Sequence, residues 1–344
     1  MGLISFSFFL PTHNGFPLIK ECVQSILNQT YPHFELNILD NFSSDDTCSW
    51  LKTVYDPRIR IISANHLLSI EESWARILHI QKQEFMTCVG HDDIFDLHFL
   101  EVIKNLIEKY PEAALYQTGA KFINEAGIKI RDFRPVKEHE TADKYLEARF
   151  KFQRDISGTG YVFRSKDYHQ VGGIPKYKGL AFADDALWLL LSKKSYKVFD
   201  PAQCVSIRIH SQSESSKFGA WKNTLIGLSQ FADFLQYFIK DDYASREVYN
   251  NFGPTFFLRY HRNVYIYALI ESCNEKKKMD PSIFAKIKIS MAKIFPGTED
   301  QLAASFIVKT LIYLNGSFLR LGVNYLWPLY RFAKTRFLYI LLTK

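Results

Sequence analysis

The sequence predicts an α/β fold followed by a helical C-terminal region, and three observations lead to this prediction. In the first 215 residues, short apolar runs alternate with amphipathic stretches, which is the pattern of a sheet flanked by helices. From about residue 216, the segments become long, aromatic-rich and helical in period. Polar residues follow several apolar runs, at the strand ends where an open α/β sheet binds its ligands. We therefore expect a ligand-binding domain over 1–215 and a helical region over 216–344.

Five strands and four helices are predicted in the first domain. Each strand run is apolar and bounded by polar turn residues, and these runs are 3–11, 35–40, 58–64, 84–90 and 113–119. Amphipathic helices are expected between them, at 17–29, 45–54, 71–82 and 97–109. The apolar N-terminal segment is predicted to be a buried strand rather than a secretory signal, because it lacks basic residues and soon reaches Pro11 and Asn14.

Five helical segments are predicted in the C-terminal region. They are 221–240, 254–272, 282–295, 299–314 and 318–342. The polar positions of the last segment recur along one face: Arg320, Asn324, Arg331 and Thr335. This segment has no run of 18 apolar residues, so we do not expect it to span a membrane. We expect it to lie on an anionic membrane surface, with packing inside the helical region or in a homo-oligomer as the alternative.

Charge and cysteine content exclude several function classes. Residues 216–344 hold 18 Lys and Arg against 9 Asp and Glu, whereas residues 1–215 hold 25 against 27. A basic region of this kind meets an anionic partner, but no nucleic-acid-binding module is recognised, so we expect no nucleic acid. The five cysteines lack CxxC spacing, which indicates a reducing compartment and no zinc site. The sequence contains no P-loop, HExxH or Gly-x-Ser-x-Gly motif.

Two adjacent aspartates follow the predicted strand 84–90. Asp92 and Asp93 carry like charges that repel each other unless they face water or a cation. A solvated turn would explain an isolated pair, but Asp40 ends a second strand of the same predicted sheet. Because the carboxyl ends of parallel strands meet at one edge, we expect these three carboxylates to converge on one crevice.

The first domain resembles glycosyltransferase family 2, whose members are inverting enzymes with the GT-A fold, a Rossmann-like mixed sheet flanked by helices. The opening segment has the family's strand, Pro-Thr-x-Asn loop, helix and second strand ending in aspartate. The resemblance covers roughly 4–215 and continues through "SIEESWARIL", "GHDD", "VGGIP", "FADDALWLLL" and "SIRIHSQSES". It implies a bacterial enzyme of polysaccharide or oligosaccharide synthesis. Such an enzyme takes a hexosyl or N-acetylhexosaminyl group from a nucleotide sugar, and we expect a UDP-sugar as the donor.

The resemblance implies a divalent metal ion on the diphosphate of the donor. Asp92 falls on the metal-binding aspartate of the family's Asp-x-Asp-Asp motif, and Asp93 stands beside it. His210 falls in the family's Arg-x-His-x-x-Ser segment and is a further candidate ligand. Mn²⁺ or Mg²⁺ suits such a site because both ions accept carboxylate oxygens and retain waters. Gly90 departs from the family, which has an aspartate at the first position of the motif.

Donor-binding residues are likewise implied by the resemblance. Asp40 matches the aspartate that bonds the nucleotide in the family, and Arg76 stands where an arginine often faces the donor. A planar guanidinium can bond two phosphate oxygens at once. The remaining positions that match donor-binding segments are Pro11, Thr12, Asn14, Arg208 and Ser213.

The catalytic base is expected in the segment "AFADDALWLLL". Aligning Leu187 and Trp188 with the family motif places Asp184 on the base, and Asp185 is the rival. An inverting transfer needs one carboxylate to take the proton of the acceptor hydroxyl, which contributes about 10²- to 10⁴-fold to the rate.

Two functions of different classes are compatible with this pattern. The first is a cytoplasmic transferase, peripheral at the inner membrane face, that acts on a glycan or lipid-linked glycan. The second is a catalytically silent GT-A module that binds nucleotide sugar or scaffolds polysaccharide assembly, which Gly90 and Asn41 favour. The joint presence of Asp92, Asp184 and His210 favours the enzyme.

Overall fold

The computed structural model describes residues 3–210, 213, 219–275, 277–304, 309 and 313. Its strands are β1 (Phe6–Thr12), β2 (Phe34–Asp40), β3 (Ile59–Ile61), β4 (Phe85–Cys88), β5 (Ile94–Phe95), β6 (Leu115–Ile123), β7 (Lys129–Asp132), β8 (His139–Glu140), β9 (Tyr161–Arg164) and β10 (Lys197–Arg208). Its helices are α1 (Leu18–Leu27), α2 (Thr47–Leu51), α3 (Ile70–Ala75), α4 (Phe99–Lys109), α5 (Ala142–Phe150), α6 (Ser165–Gln170), α7 (Ala183–Lys194), α8 (Ala220–Phe238), α9 (Tyr243–Asn274), α10 (Pro281–Ile294) and α11 (Glu299–Ala304). Short 3₁₀ turns cover Arg76–His79 and Lys178–Leu180.

The strands form one mixed sheet, in the order β3-β2-β1-β4-β9-β6-β10-β5, with β7 paired to β6 and β8 to β10. Strands β3, β2, β1 and β4 run parallel to one another, and β9 runs antiparallel between β4 and β6. The register pairs Thr12 with Asp40 at the ends of β1 and β2. The parallel strands therefore present their carboxyl ends along one edge, as the sequence predicts.

The five predicted strands and four predicted helices of the first domain are present, with ends shifted by a few residues. Strands β5, β7, β8, β9 and β10 add to that set. The predicted helix 71–82 is shorter than expected: α3 ends at Ala75 and a 3₁₀ turn continues to His79. Strand β10 has irregular pairing with β6 near residues 200–205, where Pro201 cannot donate a backbone hydrogen bond.

Apolar side chains pack on both faces of the sheet. Phe8 and Phe9 are both fully buried but belong to separate core clusters, because neighbouring strand residues point to opposite faces. The cluster of Phe8 contains α1 and α4. The cluster of Phe9 contains α5, α7 and the helices of the C-terminal region. Described residues on both sides of the predicted boundary near 215 thus contribute to one continuous core.

The second helix of the C-terminal region begins earlier than predicted. Helix α9 starts at Tyr243, whereas the sequence predicts a start at residue 254. Pro254 instead lies inside the helix and cannot donate to the carbonyl of Asn250. The fully buried Phe256 and Phe257, which pack on Phe150, stabilise the helix beyond it.

The predicted helix 318–342 and half of 299–314 lie outside the described residues. Within the part of the chain that the structure describes, no helix combines the length and apolarity needed to cross a bilayer.

Candidate active site

The acidic turn after β4 is anchored by the second of its two aspartates. Asp93 is 6% exposed, and its two carboxylate oxygens accept hydrogen bonds from the Thr159 hydroxyl (2.5 Å) and the backbone N–H of Arg208 (3.1 Å). Burial, and secondly the charge of Asp92, raises the pKa of Asp93 well above its usual range. Both oxygens therefore have protein partners, so this geometry suits a residue that holds the turn rather than the predicted metal ligand.

The first aspartate of the turn pairs with a histidine from the far end of the sheet. Asp92 Oδ2 lies 2.8 Å from His210 Nε2, although the two residues are 118 positions apart in sequence. The pairing arises because β10 ends at Arg208 and carries His210 back to the turn after β4. Ser213 donates its hydroxyl to the His210 carbonyl at 2.9 Å, which places Ser213 next to this pair.

The pair fits a divalent metal ion that takes few protein ligands. A carboxylate oxygen and an imidazole nitrogen converge on one point, and both are ligands of Mn²⁺ and, less often, Mg²⁺. Among the described residues, no group of three or more His, Cys, Asp or Glu side chains is placed to hold a metal. Ions of this class commonly complete their coordination with water and substrate phosphates, so a two-residue protein contribution is chemically sufficient.

The absence of a side chain at Gly90 has a local structural explanation. A Cβ built at this position would lie 2.9 Å from Asp92 Oδ1 and 2.9 Å from Asp93 Oδ2. The Gly90 N–H donates to the Thr159 hydroxyl, the same group that bonds Asp93. An aspartate at position 90 would therefore require one of the two carboxylates to move.

Arg208 supports the turn from behind. It is 3% exposed, and its guanidinium donates to the Asp92 carbonyl (3.0 Å), the Glu125 carbonyl (2.7 Å) and the Glu21 carboxylate (2.7 Å). The sequence predicts a donor contact for Arg208. The structure places its guanidinium in the interior instead, since three protein acceptors already surround it.

The predicted nucleotide end of the site lies at the ends of β1 and β2. Asp40 is buried and accepts a hydrogen bond from the Ser43 N–H at 3.3 Å. Arg76 donates to the carbonyls of Asp40 (3.1 Å) and Ile62 (3.3 Å), so it braces this strand end. The buried Thr12 hydroxyl, opposite Asp40 in register, has no hydrogen-bond partner among the described residues.

The loop after β1 is shaped by two of the predicted donor-binding residues. Pro11 is buried within β1, one residue before the strand ends. Asn14 adopts a left-handed backbone (φ 50°), and its side-chain oxygen accepts from the Ser44 N–H at 2.8 Å. This bond joins the loops that follow β1 and β2 and leaves Asp40 between them.

The two candidate base residues have different surroundings. Both Asp185 oxygens accept from the Arg149 guanidinium, at 2.7 and 3.0 Å, in a fully buried pair. Asp184 is half-buried and accepts from the Asp185 N–H at 2.9 Å. Burial, and secondly the charge of Asp185, raises the pKa of Asp184 to about 7. Of this pair, Asp184 is the carboxylate suited to exchange a proton near neutral pH.

A short segment before β9 joins the acidic turn to α7, the helix that carries Asp184. The Ser157 carbonyl accepts from the Trp188 indole N–H on α7 at 3.2 Å, and Thr159, two residues later, bonds Asp93 and Gly90. Trp188 also stacks on Tyr161, with ring centroids 4.4 Å apart. The carboxylates of the acidic turn and of α7 are thus linked through residues 157–161.

Comparison with known proteins identifies the family. Residues 7–172 match the family model described as "Glycosyl transferase family 2". This segment belongs to glycosyltransferase family 2. The matched segment contains the acidic turn and the strand ends that carry Thr12 and Asp40.

The family 2 assignment agrees with individual relatives. The chain is 23% identical over 222 residues to the putative teichuronic acid biosynthesis glycosyltransferase TuaG of Bacillus subtilis, covering 63% of this chain and 84% of TuaG. It is 26% identical over 110 residues to WfgD of Escherichia coli, named a UDP-Glc:alpha-D-GlcNAc-diphosphoundecaprenol beta-1,3-glucosyltransferase, covering 32% of this chain and 44% of WfgD. Among the curated relatives, the aligned part spans from 14% to 84% of the relative's length.

A solved structure shows the same fold. TarS of S. aureus (residues 1–349), crystallised with UDP, superposes with a TM-score of 0.62 at 14% identity, covering 94% of this chain and 89% of that one. The fold is therefore GT-A with a C-terminal helical region, as the sequence predicts. The coverage extends the likeness beyond the 7–172 segment into the helical region.

Sequence reasoning misses three residues that shape this family 2 site. Thr159 lies in "SGTGYVFRS", a segment that resembles the family, but no side chain in it is singled out. Arg149 and Glu21 carry no sequence signal, because each is one charged residue on an amphipathic helix. Their roles arise only from partners far away in sequence, Asp185 and Arg208.

Proposed function

We propose that this family 2 enzyme transfers a hexosyl or N-acetylhexosaminyl group from a UDP-sugar to a glycan or lipid-linked glycan, with inversion at the sugar carbon. The observation that carries the proposal is the convergence of Asp92 and His210 at 2.8 Å on the edge of the sheet that also carries Asp40. The UDP complex of TarS supports the choice of donor, and the printed names of TuaG and WfgD support an acceptor of the cell envelope.

Asp92 and His210 would hold Mn²⁺ or Mg²⁺ in this enzyme. The bound ion would neutralise the diphosphate leaving group as the sugar departs. Asp93, Thr159 and Arg208 would keep the Asp92 carboxylate in place, because they fix the turn on three sides.

Asp184 would act as the general base. It would take the proton of the acceptor hydroxyl while that oxygen attacks the sugar carbon from the face opposite the diphosphate. A base with a pKa of about 7 is partly deprotonated at neutral pH and can accept a proton effectively. Asp185 is unsuited to this role because Arg149 occupies both of its oxygens.

The base and ribose of UDP would lie between the loops after β1 and β2. The Thr12 hydroxyl is buried without a protein partner, and a ligand that bonds it would satisfy this group. Asp40 stands opposite it and can accept from a ribose hydroxyl or the uracil N–H.

The enzyme would work at the cytoplasmic face of the membrane as a peripheral protein. A lipid-linked acceptor keeps its sugar near the bilayer, so the transferase must approach the surface. The basic excess of 216–344 would favour an anionic bilayer.

Binding of UDP tests the metal and donor assignments together. Calorimetric titration of UDP should show binding that depends on Mn²⁺ in the wild type. Asp92→Asn and His210→Gln should each weaken the Mn²⁺-dependent binding by about tenfold or more, in line with the loss of one metal ligand. Asp96→Asn is the matched control, because this exposed carboxylate lies only four residues from Asp92, directly after β5.

Each outcome separates the enzyme from its alternative. UDP release from UDP-glucose or UDP-N-acetylglucosamine by the wild type supports the transferase. UDP binding with no turnover of any nucleotide sugar would support the silent binding module. UDP affinity that is equal with and without Mn²⁺ would overturn the metal site.

A further inference from the structure

The backbone directly before Asp184 has an unusual conformation. Gly179, Leu180 and Phe182 have φ values of 61°, 55° and 65°, in the left-handed region. Glycine adopts this region readily, but leucine and phenylalanine do so rarely because the Cβ crowds the backbone. Such a conformation persists only where surrounding contacts hold it, so the structure must supply those contacts.

One face of helix α8 supplies several of them. The Gln230 side-chain oxygen accepts from the backbone N–H of Lys178 at 2.9 Å. The Phe231 ring stacks on Phe182, with centroids 5.4 Å apart and an interplanar angle of 13°. These two α8 residues therefore contact both ends of the left-handed segment.

The same face of α8 approaches the segment closely through a glycine. A Cβ built at Gly227 would lie 2.6 Å from the Ala181 carbonyl oxygen, and a Cβ at Gly179 would lie 2.6 Å from the Asn223 side-chain nitrogen. Gly227 follows Asn223 by four residues, and Gln230 and Phe231 follow Gly227 by three and four residues, so the four lie on one side of the helix. We call these four residues the α8 clamp.

Two further contacts close the segment from other directions. The Glu71 carboxylate accepts from the Gly179 N–H at 3.0 Å. The Tyr260 ring meets Phe182 edge-on at 5.0 Å, and its hydroxyl accepts from Arg149, the residue that holds Asp185. The segment from 178 to 185 is thus held by α3, α5, α8 and α9 together.

We infer that the α8 clamp is a positioning element of the transfer reaction: it holds residues 178–182, including the left-handed Gly179, Leu180 and Phe182, in the backbone path that sets where Asp184 points. The inference rests on the proposed role of Asp184 as the base. It assigns the C-terminal helical region a part in catalysis, through positioning rather than through contact with the substrate.

The hydrogen bond of Gln230 offers the cleanest test. Gln230→Met keeps the length of the side chain and removes the acceptor, whereas Gln230→Glu keeps an acceptor oxygen. We expect Gln230→Met to lower kcat for UDP release from UDP-glucose and UDP-N-acetylglucosamine with Mn²⁺ by about tenfold, since small misplacements of a reacting group are costly. The Kd for UDP should stay within about twofold of the wild type, and Gln230→Glu should recover most of kcat.

Control variants separate positioning from folding. Ile226→Ala changes an exposed residue of the same helix and should leave kcat unchanged. Gly227→Ala introduces the Cβ against Ala181 and should reproduce the loss of kcat by another route. In an Asp184→Asn background, Gln230→Met should cost little further, because two changes that act through one group are not additive.

Three results would overturn the inference, and they are distinguishable. Wild-type kcat in Gln230→Met and Gly227→Ala would show that the clamp does not set the base. If Gln230→Met lowers kcat by the same factor in the wild type and in the Asp184→Asn background, α8 acts through the fold alone. A wild-type protein that releases no UDP from either donor would remove the proposed function, and this inference with it.

Discussion

At the scale of single residues, the environment decides the chemistry of identical side chains. Asp184 and Asp185 are adjacent, yet Asp185 is buried against Arg149 and Asp184 is half-buried with its pKa raised to about 7. Asp92 and Asp93 divide in the same way, because Asp93 is held by Thr159 and Arg208 while Asp92 meets His210. In each pair, both carboxylate oxygens of one aspartate accept hydrogen bonds from distant protein groups, and its neighbour is the candidate site residue.

The pKa of Asp184 predicts how the rate changes with pH. The base must be deprotonated to accept a proton, so kcat should rise with pH and level off above about 7. Asp184→Asn should lower kcat by about a hundredfold or more and abolish this acid limb, while the UDP affinity persists. Steady-state rates of UDP release between pH 5 and 9 provide the measurement.

Asp185→Asn is the informative comparison for this variant. It weakens the buried pair with Arg149 and should lower the free energy of unfolding more than Asp184→Asn does. Suppose that Asp185→Asn loses the acid limb and keeps its stability, whereas Asp184→Asn keeps the acid limb and loses stability. The roles of the two aspartates would then be exchanged.

At the scale of elements, the segment before β9 connects parts of the site that are distant in sequence. The Thr159 hydroxyl donates to Asp93 and accepts from the Gly90 N–H, and the Ser157 carbonyl accepts from Trp188 on α7. Because β9 lies antiparallel between β4 and β6, the chain delivers this segment beside the acidic turn. The acidic turn with Asp92 and the helix with Asp184 are therefore both bonded to the segment before β9.

Loss of the Thr159 hydroxyl should loosen the acidic turn. Thr159→Val preserves the shape of the side chain but leaves the Oδ2 atom of the buried Asp93 and the Gly90 N–H each without a partner. An unsatisfied buried polar group costs about 1–3 kcal/mol, so the free energy of unfolding in urea should fall by at least that amount. Mn²⁺-dependent UDP binding should weaken as well.

Thr159→Ser keeps the hydroxyl and serves as the matched control. It should lose less than about 1 kcal/mol, since only one methyl group is removed. Equal stability of the valine and serine variants would mean that the hydroxyl does not hold the turn.

At the scale of the whole molecule, the helical region is part of the catalytic domain's core. Helices α8 and α9 pack against α5 and α7, and aromatic stacking continues from Phe182 through Phe231 to Phe234. The region also carries the excess of basic residues. We expect its packing to serve the site and its charge to serve the membrane surface.

Binding to anionic vesicles tests the role of the predicted helix 318–342. Each basic residue near an anionic surface contributes about 1 kcal/mol, so replacing Arg331, Lys334 and Arg336 together by Ala should release most of the protein from vesicles. High salt should weaken wild-type binding without abolishing it, because buried apolar side chains add a salt-insensitive contribution. Co-sedimentation with phosphatidylserine-containing vesicles measures both effects.

A charge-matched variant controls for non-specific attraction. Replacing Lys52, Lys137 and Lys166, which are exposed residues of the first domain, removes the same charge and should leave binding unchanged. Similar losses in both triple variants would indicate diffuse electrostatics. No vesicle binding by the wild type would favour packing or an oligomer interface for 318–342.

Much of the fold and part of the site could be predicted from the sequence, because local pattern controls them. Apolar runs predict the strands that end at Thr12, Asp40 and Cys88, and the acidic turn follows the last of them in the chain. The motif around Asp184 limits the candidates for the catalytic base to Asp184 and Asp185. Helix α9 shows the limit of such patterns, since tertiary packing carries it through Pro254.

The sequence by itself determined the family, the GT-A fold and the short set of acidic residues from which the site is built. These follow from periodicity and motifs, which are properties of neighbouring residues. The sequence also favours Asp92 and Asp184 over their neighbours, but only the tertiary structure shows the partners that give the two members of each aspartate pair different surroundings. The deciding partners are Arg149, Thr159, Arg208 and His210, which lie 36 to 118 positions away in sequence. Burial and hydrogen bonding between such distant residues exist only once the chain has folded, and they set which carboxylate can exchange a proton or hold a cation.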